Sequence, residues 1–185
     1  MKVKKDWESY CTLAYTILKS AIKYWGNPSF YRPITRVFYI TVFDCGMPNP
    51  TGLISENALN NKLAKKKTVS DHYLSPQFIC RMIMDNSNVY LQDYDKFKDL
   101  FWLATQTIVV TQQENDNLAA LTENDGLNYN VKVPTDKKYK HLGIKLYKRP
   151  DGTNRWANSV PVDGYKLEVP EELLDYEKQF LVDQS

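Results

Sequence analysis

Cysteine is scarce in this sequence: Cys11, Cys45 and Cys80 are its three, spaced about 35 residues apart. So sparse and odd a set makes neither a disulfide framework nor a C-x-x-C zinc site, and it points to a reduced, cytoplasmic protein. Long apolar runs are missing too. No window approaches the roughly 18 consecutive apolar residues of a membrane span. The opening MKVKKDWESY is basic without an apolar stretch, which is not the pattern of a secretory signal. The phosphate-cradling patterns G-x-x-x-x-G-K-[ST] and G-x-G-x-x-G do not occur, nor does the nucleophile elbow G-x-S-x-G. No nucleotide cofactor is therefore expected. Charge of one sign is absent as well: the net charge is only +2. Electrostatics alone would not hold this chain to nucleic acid.

What is present is an ordinary globular composition. Of 185 residues, 43% are hydrophobic and 13% aromatic, too many rings for a disordered chain to leave in water. The length suits one domain, or one domain with an appendage. The small net charge conceals four blocks. Residues 1–71 carry eleven Lys/Arg against five acids, and 72–131 carry three against eight. Residues 132–162 carry eight against two, and 163–185 two against seven. The third block contains Lys137, Lys138, Lys140, Lys145, Lys148, Arg149 and Arg155, interleaved with Tyr139, Tyr147 and Trp156. Cations alternating with rings are what phosphate contact plus base stacking would use. The same pattern also suits a solvated hairpin kept soluble by its lysines.

Periodicity gives an α+β chain. Residues 7–24 place Trp7, Tyr10, Ala14, Ile17, Leu18, Ala21 and Tyr24 at helical steps behind Asp6 as N-cap. Residues 37–43, VFYITVF, read as a buried strand closed by the turn-like CGMPNP. A polar helix is expected over 55–66, an extended segment over 68–73, and a helix from Ser75-Pro76. Another helix starts at Asp93 or Asp95, and 105–111 reads as a strand. Thr111 and Glu114 then form a T-x-x-E capping box for a helix that Asn124-Asp125-Gly126 ends. A hairpin turn is expected at Pro150-Asp151-Gly152, and a last acidic helix over 170–182.

There are only two histidines. His141, among lysines in KYKHLG, reads as structural or phosphate-facing. His72 directly follows Asp71 at the end of an extended segment, and Asn115 lies in the first turns of the capped helix after the 105–111 strand. A strand bearing Asp-His, a second strand and a helix with an oxygen ligand could hold one hard cation and activate a water. That apparatus would suit phosphodiester hydrolysis.

The D-H pair at 71–72 with V-T-Q-Q-E-N at 110–115 resembles the HNH endonucleases, and most closely the homing endonucleases of T-even-like phages. The likeness covers roughly 66–125. It implies a ββα-metal element at 68–125, a basic DNA-contacting region at 1–67, and a C-terminal basic β-hairpin region with an acidic tail at 126–185. It also implies a phage-encoded enzyme working in the host-cell cytoplasm, cutting double-stranded DNA with Mg²⁺ or Mn²⁺. On this resemblance Asp71 and Asn115 are metal ligands and His72 is the general base. Gln106 stands where the family has an Asn nine positions before the closing ligand, and 34 residues separate it from His72. The basic residues of 137–155 would grip the duplex. The alternatives are the same fold without catalysis, as a DNA-binding or regulatory protein, and an interaction protein with no nucleic-acid role. Asp125 with Asp136-Lys137-Lys138 also has the spacing of a PD-(D/E)-x-K nuclease, but on no clear strand.

Overall fold

The computed structural model describes residues 6–45, 51–124, 129–150, 155–162 and 169–182. In chain order the first elements are α1 (Trp7–Ala21), α2 (Tyr31–Cys45), β1 (Leu53–Ser55), α3 (Glu56–Leu63) and β2 (Val69–His72). Next come α4 (Pro76–Asp85), α5 (Ser87–Tyr90), α6 (Tyr94–Ala104), β3 (Thr107–Val110) and α7 (Gln112–Ala119). The chain continues with β4 (Thr122–Asn124), β5 (Tyr129–Val131), α8 (Lys138–His141), β6 (Leu146–Lys148), β7 (Val160–Pro161) and α9 (Glu171–Lys178). The turns expected at 46–50, at Asp125-Gly126 and at Asp151-Gly152 lie outside the described residues. Among those residues no helix is long and apolar enough to cross a membrane.

Two compact units share the chain, and they interleave. The expectation of three consecutive segments, 1–67, 68–125 and 126–185, assigns neighbours by sequence alone. Those segments do not coincide with the two units, one of 1–48, 74–106 and 125–127 and the other of the remaining residues.

The helical unit comprises α1, α2, α4, α5 and α6. Asp6 caps α1 as the sequence suggests, accepting from the Glu8 amide at 3.1 Å. Residues 37–43, expected as a strand, instead form the middle of α2. Their β-branched and aromatic content misleads because propensity is a weak prior beside packing. Ile34, Phe38, Thr41, Val42 and Cys45 are buried at three- and four-residue steps, against α1 and α4. Phe38 meets Phe97 and Phe101 edge-on, with centroids 6.4 and 5.9 Å away. Trp25 closes this unit by donating from Nε1 to Asp85 at 2.6 Å.

The second unit is built on a five-stranded sheet in the order β2-β3-β1-β6-β7. Only β1 and β3 run parallel; the other pairs are antiparallel. The register pairs Asp71 with Ile108 and His72 with Thr107. Side chains alternate along a strand and cross-strand partners share a face. Ile54, Val109, Thr107 and His72 therefore lie on one face, and Asp71, Ile108 and Val110 on the other. On the first, Ala58 and Leu59 of α3 pack on Ile54 and Val109, flanked by Tyr147 and Trp156. The capping box at Thr111 and Glu114 forms as expected and starts α7, which packs on β2. β6 pairs antiparallel with β7, Tyr147 opposite Pro161 and Lys148 opposite Val160, so the strands are joined by a longer segment than the tight turn expected at 150–152. A small β4–β5 ladder is tied to the end of α9 by Val131 N–H donating to the Phe180 carbonyl at 2.8 Å.

Candidate functional site

The strand order that the sequence suggests is present inside the sheet unit. β2 pairs antiparallel with β3, and β3 runs through Thr111 into α7. Asp71 and His72 end β2, and Asn115 sits half-buried on α7. The chemistry around these residues departs from the expectation, beginning with Asp71.

Asp71 Oδ2 accepts from Lys138 Nζ at 2.9 Å and from the Tyr139 hydroxyl. The two charged side chains are 14% and 13% exposed, so this ion pair is mostly out of water. Lys138 Nζ also donates to the His72 carbonyl at 3.1 Å. It lies 5.7 Å from the Tyr73 centroid and 5.2 Å from that of Tyr139, and these two rings stack at 6.1 Å. Burial pushes the Tyr139 phenol well above its usual value, and the charge of Asp71 and its hydrogen bond push the same way. Tyr139 is thus a neutral donor to a carboxylate.

This arrangement does not suit a divalent cation at Asp71. An ammonium already occupies Oδ2, and a second cation there would have to displace it. The adjacent His72 side chain, by register, leaves from the opposite face of the sheet. Among the described residues no three His, Cys, Asp or Glu side chains gather as a cation cage. Gln106 falls in the helical unit, one residue before β3, and its amide donates to the Trp102 carbonyl at 3.4 Å. Asp136, of the other nuclease spacing, lies on a 3-10 turn, not a strand, and Asp125 is outside the described residues.

The basic residues divide by role. Lys138, expected at the DNA, is a tether holding α8 to β2. Lys137 and Lys140 flank it and are exposed, as are Lys145, Lys148 and Arg155. Lys145 reaches Glu56 at 3.9 Å, a loose pair. Arg149 lays its guanidinium over Trp156, 4.8 Å from the ring centroid, and its amide donates to the Gly52 carbonyl at 2.9 Å. The interleaved rings thus have separate tasks: Tyr139 is buried on Asp71, Tyr147 donates to Glu56 at 3.1 Å, and Trp156 supports Arg149.

One residue that sequence reasoning treated as a cap has a larger part. Glu114 is buried, and its Oε2 accepts from Ser55 Oγ at 2.6 Å and from the Thr111 amide at 2.8 Å. Its Oε1 accepts from Asn57 at 3.0 Å. Ser55 also caps α3, so one carboxylate joins the starts of two helices. Beside it opens a polar cleft of about 270 Å³, lined by Glu56, Asn57, Gln113, Asn117 and Lys145 among others. The T-x-x-E pattern was the only sequence signal for this, and it carries no information about Ser55, 59 residues away.

Compared with known protein families, with curated proteins and with solved structures, the chain matches none of them.

Proposed function

We propose that the sheet unit binds double-stranded DNA through phosphate contacts made by the segment from Lys137 to Arg155, without cutting it. The observation that supports this reading is the division of labour around Lys138. That lysine is used internally, and its bond to Asp71 holds a short helix; Lys140 on that helix and Lys137 just before it face water. Among the described residues neither of these, nor Lys148 on the adjoining strand, is in an ion pair. Exposed cations set on a tethered scaffold lose little order on meeting phosphates, and each phosphate neutralised releases counterions. Arg149, laid over Trp156, adds a cation backed by a ring.

The test is anisotropy of a labelled duplex across a salt series, with wild type and the triple variant Lys137→Ala/Lys140→Ala/Lys148→Ala. The slope of log affinity against log salt should flatten by about 0.9 per contact removed, or roughly three units for all three. An unchanged slope would remove this segment from the interface.

Metal-dependent DNA cleavage of the HNH kind is the second reading, and the passage from β2 through β3 into α7 favours it. It requires Lys138 to leave Asp71. Nicking of plasmid by the intact chain in Mg²⁺ or Mn²⁺, blocked by chelator and lost in His72→Ala, would establish it over the binding-only reading.

A further inference from the structure

We infer that α2 is a self-association surface, through which two copies of this chain pair antiparallel. Helix α2 is buried on one side within the helical unit, yet its other side is also apolar. Val37, Ile40 and Phe43 are 40%, 46% and 63% exposed, at successive three-residue steps. Phe43 is held in place by stacking on Tyr39, with centroids 6.1 Å apart. Single exposed apolar residues are ordinary on a protein surface, but an aligned trio on one helix is a surface waiting for a partner.

The charges say which partner. Arg36 and Asp44 border the trio, both exposed, and among the described residues neither is in an ion pair. Positions are symmetric about Ile40: Val37 and Phe43 stand three residues to either side, Arg36 and Asp44 four. In an antiparallel pair with Ile40 on the two-fold axis, Ile40 meets itself and Val37 meets Phe43 of the second copy. Arg36 then meets Asp44 of the second copy, twice. A two-fold interface demands this kind of self-complementarity, with residue i on j and j on i. A parallel pairing would set Arg36 on Arg36 and Asp44 on Asp44.

An independent sign comes from the helix dipole. Helices α1, α3 and α9 carry acids in the first turn and a lysine in the last, as the dipole favours. In α2 the order is reversed. It has no acid in its first turn, where Arg32 lies, and no base in its last, where Asp44 lies. For a lone helix that is the unfavourable arrangement. In an antiparallel pair, each Asp44 is brought towards the positive end of the other helix.

A single helix pair is a small interface, so the expected dissociation constant is about 10–100 µM. Sedimentation velocity of the full chain, without nucleic acid, should show mass rising from 21.6 kDa towards twice that value with concentration. Ile40→Lys should remain monomeric with an unchanged melting curve, since the side chain is exposed and no core contact is lost. Arg36→Asp and Asp44→Arg should each weaken association at least tenfold. The two single variants mixed together, and the double variant Arg36→Asp/Asp44→Arg alone, should pair again. A wild-type chain that stays monomeric at about 0.5 mM, where even a millimolar contact is populated, overturns the inference and leaves the face to a different protein. So does Ile40→Lys pairing as well as wild type, or failure of the double variant to restore what the single ones lose.

Discussion

Lys138 and Asp71, 67 residues apart, form an ion pair of 2.9 Å at the edge of the five-stranded sheet. Asp71 anchors the α8 segment to the strand that carries His72. The cost of breaking such a pair exceeds the worth of making it, because one partner is left charged and desolvated. Lys138→Met should therefore lower stability by about 2–4 kcal/mol. Asp71→Asn, which still accepts from Tyr139, should cost less. Urea denaturation of the two variants beside wild type measures the difference.

The same geometry separates Lys138 from its neighbours in DNA binding. Lys140→Ala should flatten the salt slope by about 0.9 while leaving the melting temperature within error. Lys138→Ala should do the opposite at first order, lowering the melting temperature and touching the slope little. Equal slope changes in both variants would return Lys138 to the duplex.

Glu114 should prove the more sensitive of the two carboxylates. Glu114→Ala leaves Ser55, Asn57 and the Thr111 amide without their shared acceptor and removes the side-chain half of the α7 capping box, while Ser55 and Thr111 still cap their helices. A loss of about 2–4 kcal/mol is expected in chemical denaturation. Glu114→Gln keeps an acceptor oxygen and should fall between Glu114→Ala and wild type.

Glu177 gives a pH signature. Burial raises its carboxyl above the ordinary 4.5, opposed by hydrogen bonds from the Thr135 amide and hydroxyl. Between the unfolded and folded values the native state holds more protons than the unfolded one. Stability from this group is thus complete below about pH 4.5 and is lost as pH rises through the higher folded value. The gap between wild type and Glu177→Gln should change in that direction when melting is followed from acid to neutral pH.

Tyr139 sets a limit at the alkaline end. Its phenol is raised well above the ordinary 10.0 by burial, then by the charge of Asp71. Its contribution is complete below about pH 10 and is lost as pH climbs towards the folded value. Tyr139→Phe should flatten the alkaline fall in stability, read as unfolding midpoint against pH.

Local signals in the sequence determined much of this protein. Asp6, Ser75-Pro76, Asp93 and the Thr111–Glu114 box mark helix starts that the structure keeps, because a cap is a matter of three or four consecutive residues. The strands at 69–72 and 107–110 were legible from their composition and punctuation, as was the α+β class. VFYITVF was not legible. Seven β-branched or aromatic residues in a row read equally as strand or helix, and only the burial of Phe38 and Val42 inside the helical unit chose between them. The candidate site divides the same way. Asp71 beside His72 is a fact of sequence, but a strand sends neighbouring side chains to opposite faces. Whether Asp71 faces a cation of its own chain depends on where residue 138 comes to rest. Pairings across such distances are settled by the closing of the sheet and the burial of Tyr139, which no short window of sequence contains.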